Sequence, residues 1–182
     1  MNYIDLIKKY KPCNEQEIKD KEIIIRYLDM FDDILTRDNE LIHITSSAFI
    51  VNKNRDKTLM IHHNLYNSWC WTGGHADGEI DLLLVAINEA KEETGIKNIL
   101  PVSNAIYSLD ILPVFGHMRK GKYISSHLHI SVAYLIEADE NEPLTVKPDE
   151  NSDVKWIPID EIGTYSTEPH MKYIYNKIIY KI

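Results

Sequence analysis

The chain is short of several features that would point to other classes of protein. It has two cysteines, Cys13 and Cys70, far apart and outside any Cys-x-x-Cys pattern, so neither a disulfide framework nor a zinc knuckle is indicated. No apolar run approaches the ~18 residues needed to span a bilayer. The first residues, MNYIDLIKKYK, lack the apolar core and cleavage site of a secretory signal. A cytoplasmic setting with no membrane attachment is therefore expected. Basic residues are outnumbered, 20 against 28 acidic, giving a net charge of −8. That balance argues against a nucleic-acid polymer as partner, because binding its phosphates relies on neutralising basic groups. It does not argue against a small phosphate substrate that arrives with its own cation. There is no G-x-x-x-x-G-K-S/T loop, which excludes a P-loop nucleotidase. Neither Ser46-Ser47 nor Ser125-Ser126 sits in a G-x-S-x-G elbow. Cys70 lies between two tryptophans with no activating base nearby in sequence, so covalent catalysis is unsupported.

What remains is an ordinary globular composition: 182 residues, 44% hydrophobic and 26% charged, enough for one domain with an extension. Residues 1–40 read as a helical extension. Asn14 followed by Glu17 suggests a capping box. Ile18, Ile24, Ile25, Leu28, Phe31, Ile34 and Leu35 then recur at helical spacing. This extension is expected to enlarge the core or to make a dimer contact, more than to act as a lid. Residues 41–182 read as the main domain. Strand patterns lie at Ser47–Asn52, Leu59–His63, Ser68–Thr72 and His127–Tyr134, where apolar and polar faces alternate. Pro169–Tyr180 has the length and apolar content of a closing helix. A mixed sheet with helices on its faces follows.

The most informative segment runs from Gly73 to Ile96, GGHADGEIDLLLVAINEAKEETGI. Asp81 is a candidate N-cap, Leu83, Leu84, Ile87 and Ala90 supply an apolar stripe, and Gly95 suits a left-handed residue past the helix end. Glu89, Glu92 and Glu93 stand at i, i+3 and i+4, with neighbouring Cβ atoms roughly 5–6 Å apart. Three carboxylates on one face repel one another, and a hard divalent cation removes that penalty. The cluster reads as half of a Mg²⁺ or Mn²⁺ site. Gly73-Gly74, just before it, permits a close backbone approach.

These residues resemble the Nudix box, G, five residues, E, seven residues, R-E-hydrophobic-x-E-E-x-G-hydrophobic. Gly74, Glu89, Ala90, Glu92, Glu93, Gly95 and Ile96 fall on its positions, whereas Ile80 and Asn88 stand where its first glutamate and its arginine would be. Glu79, one residue early, is a substitute for that glutamate if the turn is slipped. The resemblance extends over residues 45–161 and implies an α+β fold, an α/β/α sandwich around a mixed sheet. It implies a divalent-metal-dependent hydrolase cleaving the pyrophosphate bond of a nucleoside diphosphate linked to another moiety. Gly74 (through its carbonyl), Glu89, Glu92 and Glu93 would hold the metal. The catalytic base would be Glu93, Glu79 or Glu150, the last from the acidic loop before Trp156, with Asp149 and Asp153 as substitutes. The alternatives are an enzyme like isopentenyl-diphosphate isomerase, which would draw on Cys70 and a histidine-rich metal site from His62, His75, His127 and His129, or a binding module that has lost catalysis. Trp71 and His129 are candidate substrate contacts. No spacing in the sequence assembles the three or four ligands of a zinc site. The partners expected are a small diphosphate substrate and, through the N-terminal helix, a second copy of the chain.

Overall fold

In the computed structural model, which describes residues 2–119 and 121–182, the chain begins with two helices, α1 (Tyr3–Lys9) and α2 (Glu15–Met30). A long strand follows, β1 (Ile42–Val51), then β2 (Lys57–His63), β3 (Ser68–Cys70) and β4 (Thr72–His75). Helix α3 spans Leu82–Thr94. Strands β5 (Ile99–Pro101) and β6 (Ser108–Val114), the small hairpin β7 (His117–Arg119) and β8 (Lys122–Ile124), and β9 (His127–Ala138) come next. The chain closes with β10 (Asn151–Pro158), a short helix α4 (Ile162–Tyr165) and α5 (Pro169–Tyr180).

Among the described residues, the main sheet has eight strands in the order β10-β2-β1-β9-β5, with β4 added to β1, β3 to β2 and β6 to β9. It is mixed: β1 runs parallel to β9 and antiparallel to β2 and β4. Strand β1 is buried at every residue, so its alternation divides two apolar clusters instead of separating core from water. Ile42, Ile44, Ala48 and Ile50 face one cluster, closed by Ile7 of α1, Ile24 of α2 and Leu82, Ala86 and Ala90 of α3. Phe49 and Val51 face the other, closed by Ile162, Met171, Ile174, Tyr175 and Ile178. Helices on both faces of a mixed sheet give the α/β/α sandwich and the α+β class.

Two local expectations are corrected. The buried face of α3 is Leu82, Val85, Ala86, Ala90 and Glu93, while Leu84 is 43% exposed. The Ser46 hydroxyl donates to the Leu82 carbonyl at 2.5 Å, which fixes the rotation of the first turn and turns Glu93 inward. The capping box at Asn14 is half made. Asn14 accepts from the Glu17 amide at 2.9 Å, but the Glu17 carboxylate takes the Cys13 amide (2.8 Å) and the Tyr10 hydroxyl (2.7 Å).

Glu17 turns away because it belongs to a buried ionic network. Lys177 of α5 pairs with Glu17 at 2.9 Å and with Asp110 of β6. Burial pushes the Glu17 carboxyl up, and hydrogen bonds from Lys177, Tyr10 and the Cys13 amide outweigh it, leaving the pKa at about 2. Ile7, Ile24 and Ile34 share one apolar cluster with Ile42 and Ile130, so the ions and the apolar surface both join residues before position 40 to those after it. Lys177→Ala should leave the buried Asp110 without its ammonium and Glu17 with only the longer pair to Lys181 at 3.5 Å, and cost about 3–5 kcal/mol in urea denaturation at pH 7. A loss below ~1 kcal/mol would mean the network is solvated and contributes as an exposed pair does.

Candidate active site

The turn between β4 and α3 is built by left-handed residues. Asp77 has φ +47° and Gly78 φ +93°. Gly78 donates to the Leu35 carbonyl at 3.0 Å. The Asp77 carboxylate is held by Arg37 at 2.8 and 2.6 Å. The double glycine itself is not in the turn; it lies in β4, where Gly73 pairs with Ser47 and Gly74 with Ser46. From there α3 starts at the Asp81 cap, which accepts the Leu84 amide, and stops at Gly95, φ +74°, as its caps predict.

Each glycine of β4 touches one carboxylate of α3. A Cβ on Gly74 would run into the Glu89 carboxylate, so that position is a cradle a methyl group would fill. The Gly73 amide donates to Glu93 Oε2 at 3.0 Å. Glu93 is 2% exposed, and burial raises its pKa to about 8, helped by the neighbouring Glu89 and Glu150 and opposed by the Gly73 bond. Burial and the Glu92 charge likewise raise Glu89.

The fourth carboxylate arrives with the loop before β10. Asn151 is buried and donates from its side chain to the Glu93 carbonyl at 2.9 Å, which fastens that loop to the end of α3. Lys147 then bridges Glu92 at 3.2 Å and Glu150 at 3.1 Å. Burial works against the charge on Lys147, but the hydrogen bonds it donates to Glu150 and Glu92 outweigh it and raise its pKa. One ammonium thus stands among four carboxylates. An all-oxygen donor set with an excess of negative charge, packed on a glycine cradle, fits Mg²⁺ or Mn²⁺, hard cations that prefer oxygen. Lys147 and Asn151 were not singled out by the sequence, since a lone lysine and asparagine in a loop carry no pattern.

The other candidates are placed less centrally. Glu79 is exposed and its carboxylate accepts the Asp81 amide at 2.9 Å, at the entry of α3 and not among the clustered glutamates. Asp149 and Asp153 are exposed. Ile80 is 62% exposed and Asn88 is exposed on the outer face of α3. Trp71 packs edge-on against Tyr175 with ring centroids 5.5 Å apart, in the second apolar cluster. It also borders a cavity of about 170 Å³ whose wall includes Gly73, Gly74, Glu93, Thr45, Ser47, His75, His129 and Ser131. His129 is in that wall, and burial together with the surrounding imidazoles keeps its pKa well below the ordinary histidine value, so the ring is neutral at pH 7. Burial likewise lowers His75, to about 4.

A Nudix-domain family model matches residues 41–178. The chain belongs to the Nudix hydrolase superfamily. Solved Nudix structures superpose on it. The C. elegans Ap4A hydrolase binary complex does so at 18% identity and TM-score 0.55, covering 74% of this chain and 93% of the other. The E. coli dihydroneopterin triphosphate pyrophosphohydrolase matches at 12% identity and TM-score 0.56, over 76% and 96%. The MutT protein of Methanosarcina mazei Go1 matches at 17% and 0.54, over 79% and 96%. At such identities the likeness is one of fold. No curated protein matches the chain. Family membership makes this Nudix protein an enzyme of the pyrophosphohydrolase class.

The buried Glu93 ties stability to pH. Its folded pKa, about 8, lies above the ordinary 4.5, so between those values the unfolded chain releases a proton that the folded chain keeps. The contribution is full below pH ~4.5 and is lost as pH rises through ~8. With chelator present, Glu93→Gln should therefore gain on the wild type as pH goes from about 5 to 8. At ~1.4 kcal/mol per pKa unit the gap should reach a few kcal/mol. Parallel unfolding curves across that range would show that the carboxyl ionises normally.

Proposed function

We propose that this Nudix protein is a Mg²⁺- or Mn²⁺-dependent hydrolase that cleaves the pyrophosphate bond of a nucleoside diphosphate linked to another moiety. The observation that carries the reading is the contact of Glu89 and Glu93 with the glycines of β4, with Glu92 and Glu150 joined beside them through Lys147. Those four carboxylates and the Gly74 carbonyl would hold the cation. When bound, it supplies polarisation of the phosphoryl oxygens and a lowered pKa for the attacking water.

The chain does the rest by holding groups in place. Glu93 is fixed through Oε2 by the Gly73 amide, which leaves Oε1 to take the proton from water. A buried carboxylate held by one oxygen suits a general base, because its position is fixed before water binds. Lys147 and Asn151 keep Glu150 beside it. His129, neutral in the cavity wall, stands where a substrate would contact it. Trp71 shapes the same wall from the core side. Glu79 steadies the entry of α3. Residues 1–40 are a helical addition to the catalytic domain at 41–182, held by the shared core. A cytoplasmic setting belongs to the same reading and rests on the isolated cysteines. The isomerase alternative gains nothing from Cys70, which is buried and whose thiol is pushed well up by that burial.

The test is product release from a panel of nucleoside-diphosphate-linked compounds with Mg²⁺ or Mn²⁺, wild type against Glu93→Gln. The variant should stay folded and turn over about 10²–10⁴-fold more slowly. Equal turnover would remove Glu93 from the mechanism, and silence of the wild type across the panel would remove the substrate class.

A further inference from the structure

We propose that His43, His75 and His129 form a second metal site, for a zinc-type transition cation, distinct from the carboxylate cluster. No spacing in the sequence brings three histidines together; the register of the sheet does. His43 on β1 is paired with His129 on β9 in the parallel ladder. On the other side of β1, His75 of β4 is paired with Thr45, two residues along on the same face as His43. Three strands thus present three imidazoles to one point. One nitrogen from each lies within 4.8 Å of the other two, and the rings crowd at centroid separations of 5.0–5.1 Å.

The decisive ring is His43. It is 4% exposed, and its Nδ1 lies 2.9 Å from the Asn39 carbonyl. A carbonyl only accepts, so Nδ1 carries the hydrogen and Nε2 presents a lone pair. That Nε2 has no hydrogen-bond partner although it is buried. Buried acceptors are rarely left bare, and an imidazole that gives one N–H to a backbone carbonyl while its other nitrogen stays free is the usual arrangement of a metal-ligating histidine. A second oriented imidazole stands behind His129: His127 has Nδ1 at 2.9 Å from the Ser125 carbonyl and Nε2 at 3.2 Å from His129 Nε2.

The donor set selects the cation. Imidazole suits Zn²⁺ and its transition-metal neighbours, whereas carboxylate and carbonyl oxygens suit Mg²⁺ and Mn²⁺. The molecule thus presents two donor sets of different softness. A tetrahedral site with metal–nitrogen bonds of about 2.0–2.1 Å has nitrogens roughly 3.3 Å apart. The half-buried His75 and His129 can close that difference by turning about their side-chain bonds, with His43 as the fixed point. Both also line the cavity that Glu93 and Gly74 border. Three protein ligands leave a fourth position for water or an anionic oxygen, and here it would face that cavity.

The experiment is zinc-edge X-ray absorption on metal-stripped wild-type protein given one equivalent of Zn²⁺ in excess Mg²⁺, with Zn²⁺ affinities of variants alongside. The expected shell holds three imidazole nitrogens at about 2.0–2.1 Å. His75→Ala should bind Zn²⁺ at least ~10²-fold more weakly, a loss no smaller than removal of an outer-shell partner brings, while Glu89→Gln and Glu93→Gln keep the wild-type zinc affinity. An all-oxygen shell, failure of the wild type to retain Zn²⁺, or zinc binding that survives in His75→Ala and fails in the glutamine variants would each overturn the assignment. The absorption is read on the wild type, so a variant that fails to fold does not blunt the test.

Discussion

The parallel ladder between β1 and β9 is the constraint on which the rest of the molecule depends. It runs unbroken from Ile42 opposite Leu128 to Val51 opposite Glu137. Because side chains alternate along each strand, a slip of one residue would exchange the two faces. The isoleucines of β1 would then leave the α2–α3 side, His43 would leave the histidine cluster, and Thr45 and Ser47 would leave the cavity. Strand β4 takes its place from β1, and through β4 the glycines are set against α3. The carboxylate cluster and the histidine cluster are thus both positioned by one register.

The sequence was legible where its signals are local. Asp81 and Gly95 bound α3 as their chemistry dictates, Pro169 opens α5 at the first helical position, and the alternation of His127–Tyr134 is that of a strand between two cores. Local reading failed where a long-range contact decides. Gly73-Gly74 reads as a close backbone approach, and what the sequence does not tell is what approaches: Ser46 and Ser47 of β1 at Gly73 and the Glu89 carboxylate at Gly74. Leu84 reads as core at helical spacing, yet the hydroxyl of Ser46, far back in the chain, rotates the helix past it. His43 carries no pattern at all, since its neighbours in space come from β4 and β9.

The carboxylate cluster is assembled from two segments that meet at the end of α3. The helix brings three glutamates together regardless of tertiary structure, because spacing alone does so. Glu150 joins them only because Asn151 bonds the Glu93 carbonyl and Lys147 spans the gap between Glu92 and Glu150. Positive charge from the late loop offsets part of the repulsion that the helix creates. The missing box arginine at Asn88 leaves no hole in this arrangement, since Asn88 points outward. Arg37, from the segment before β1, restrains the preceding turn through Asp77.

The Lys177 network has a consequence for how the chain is made. Its partners, Glu17 and Asp110, are synthesised well before the last helix. Until α5 emerges from the ribosome both carboxylates lack their ammonium, and burying them would leave uncompensated charge. Helix α2 therefore cannot settle onto β6 during elongation, however complete the sheet beneath it. Closure of the N-terminal layer waits for α5, a contact of high sequence separation made late.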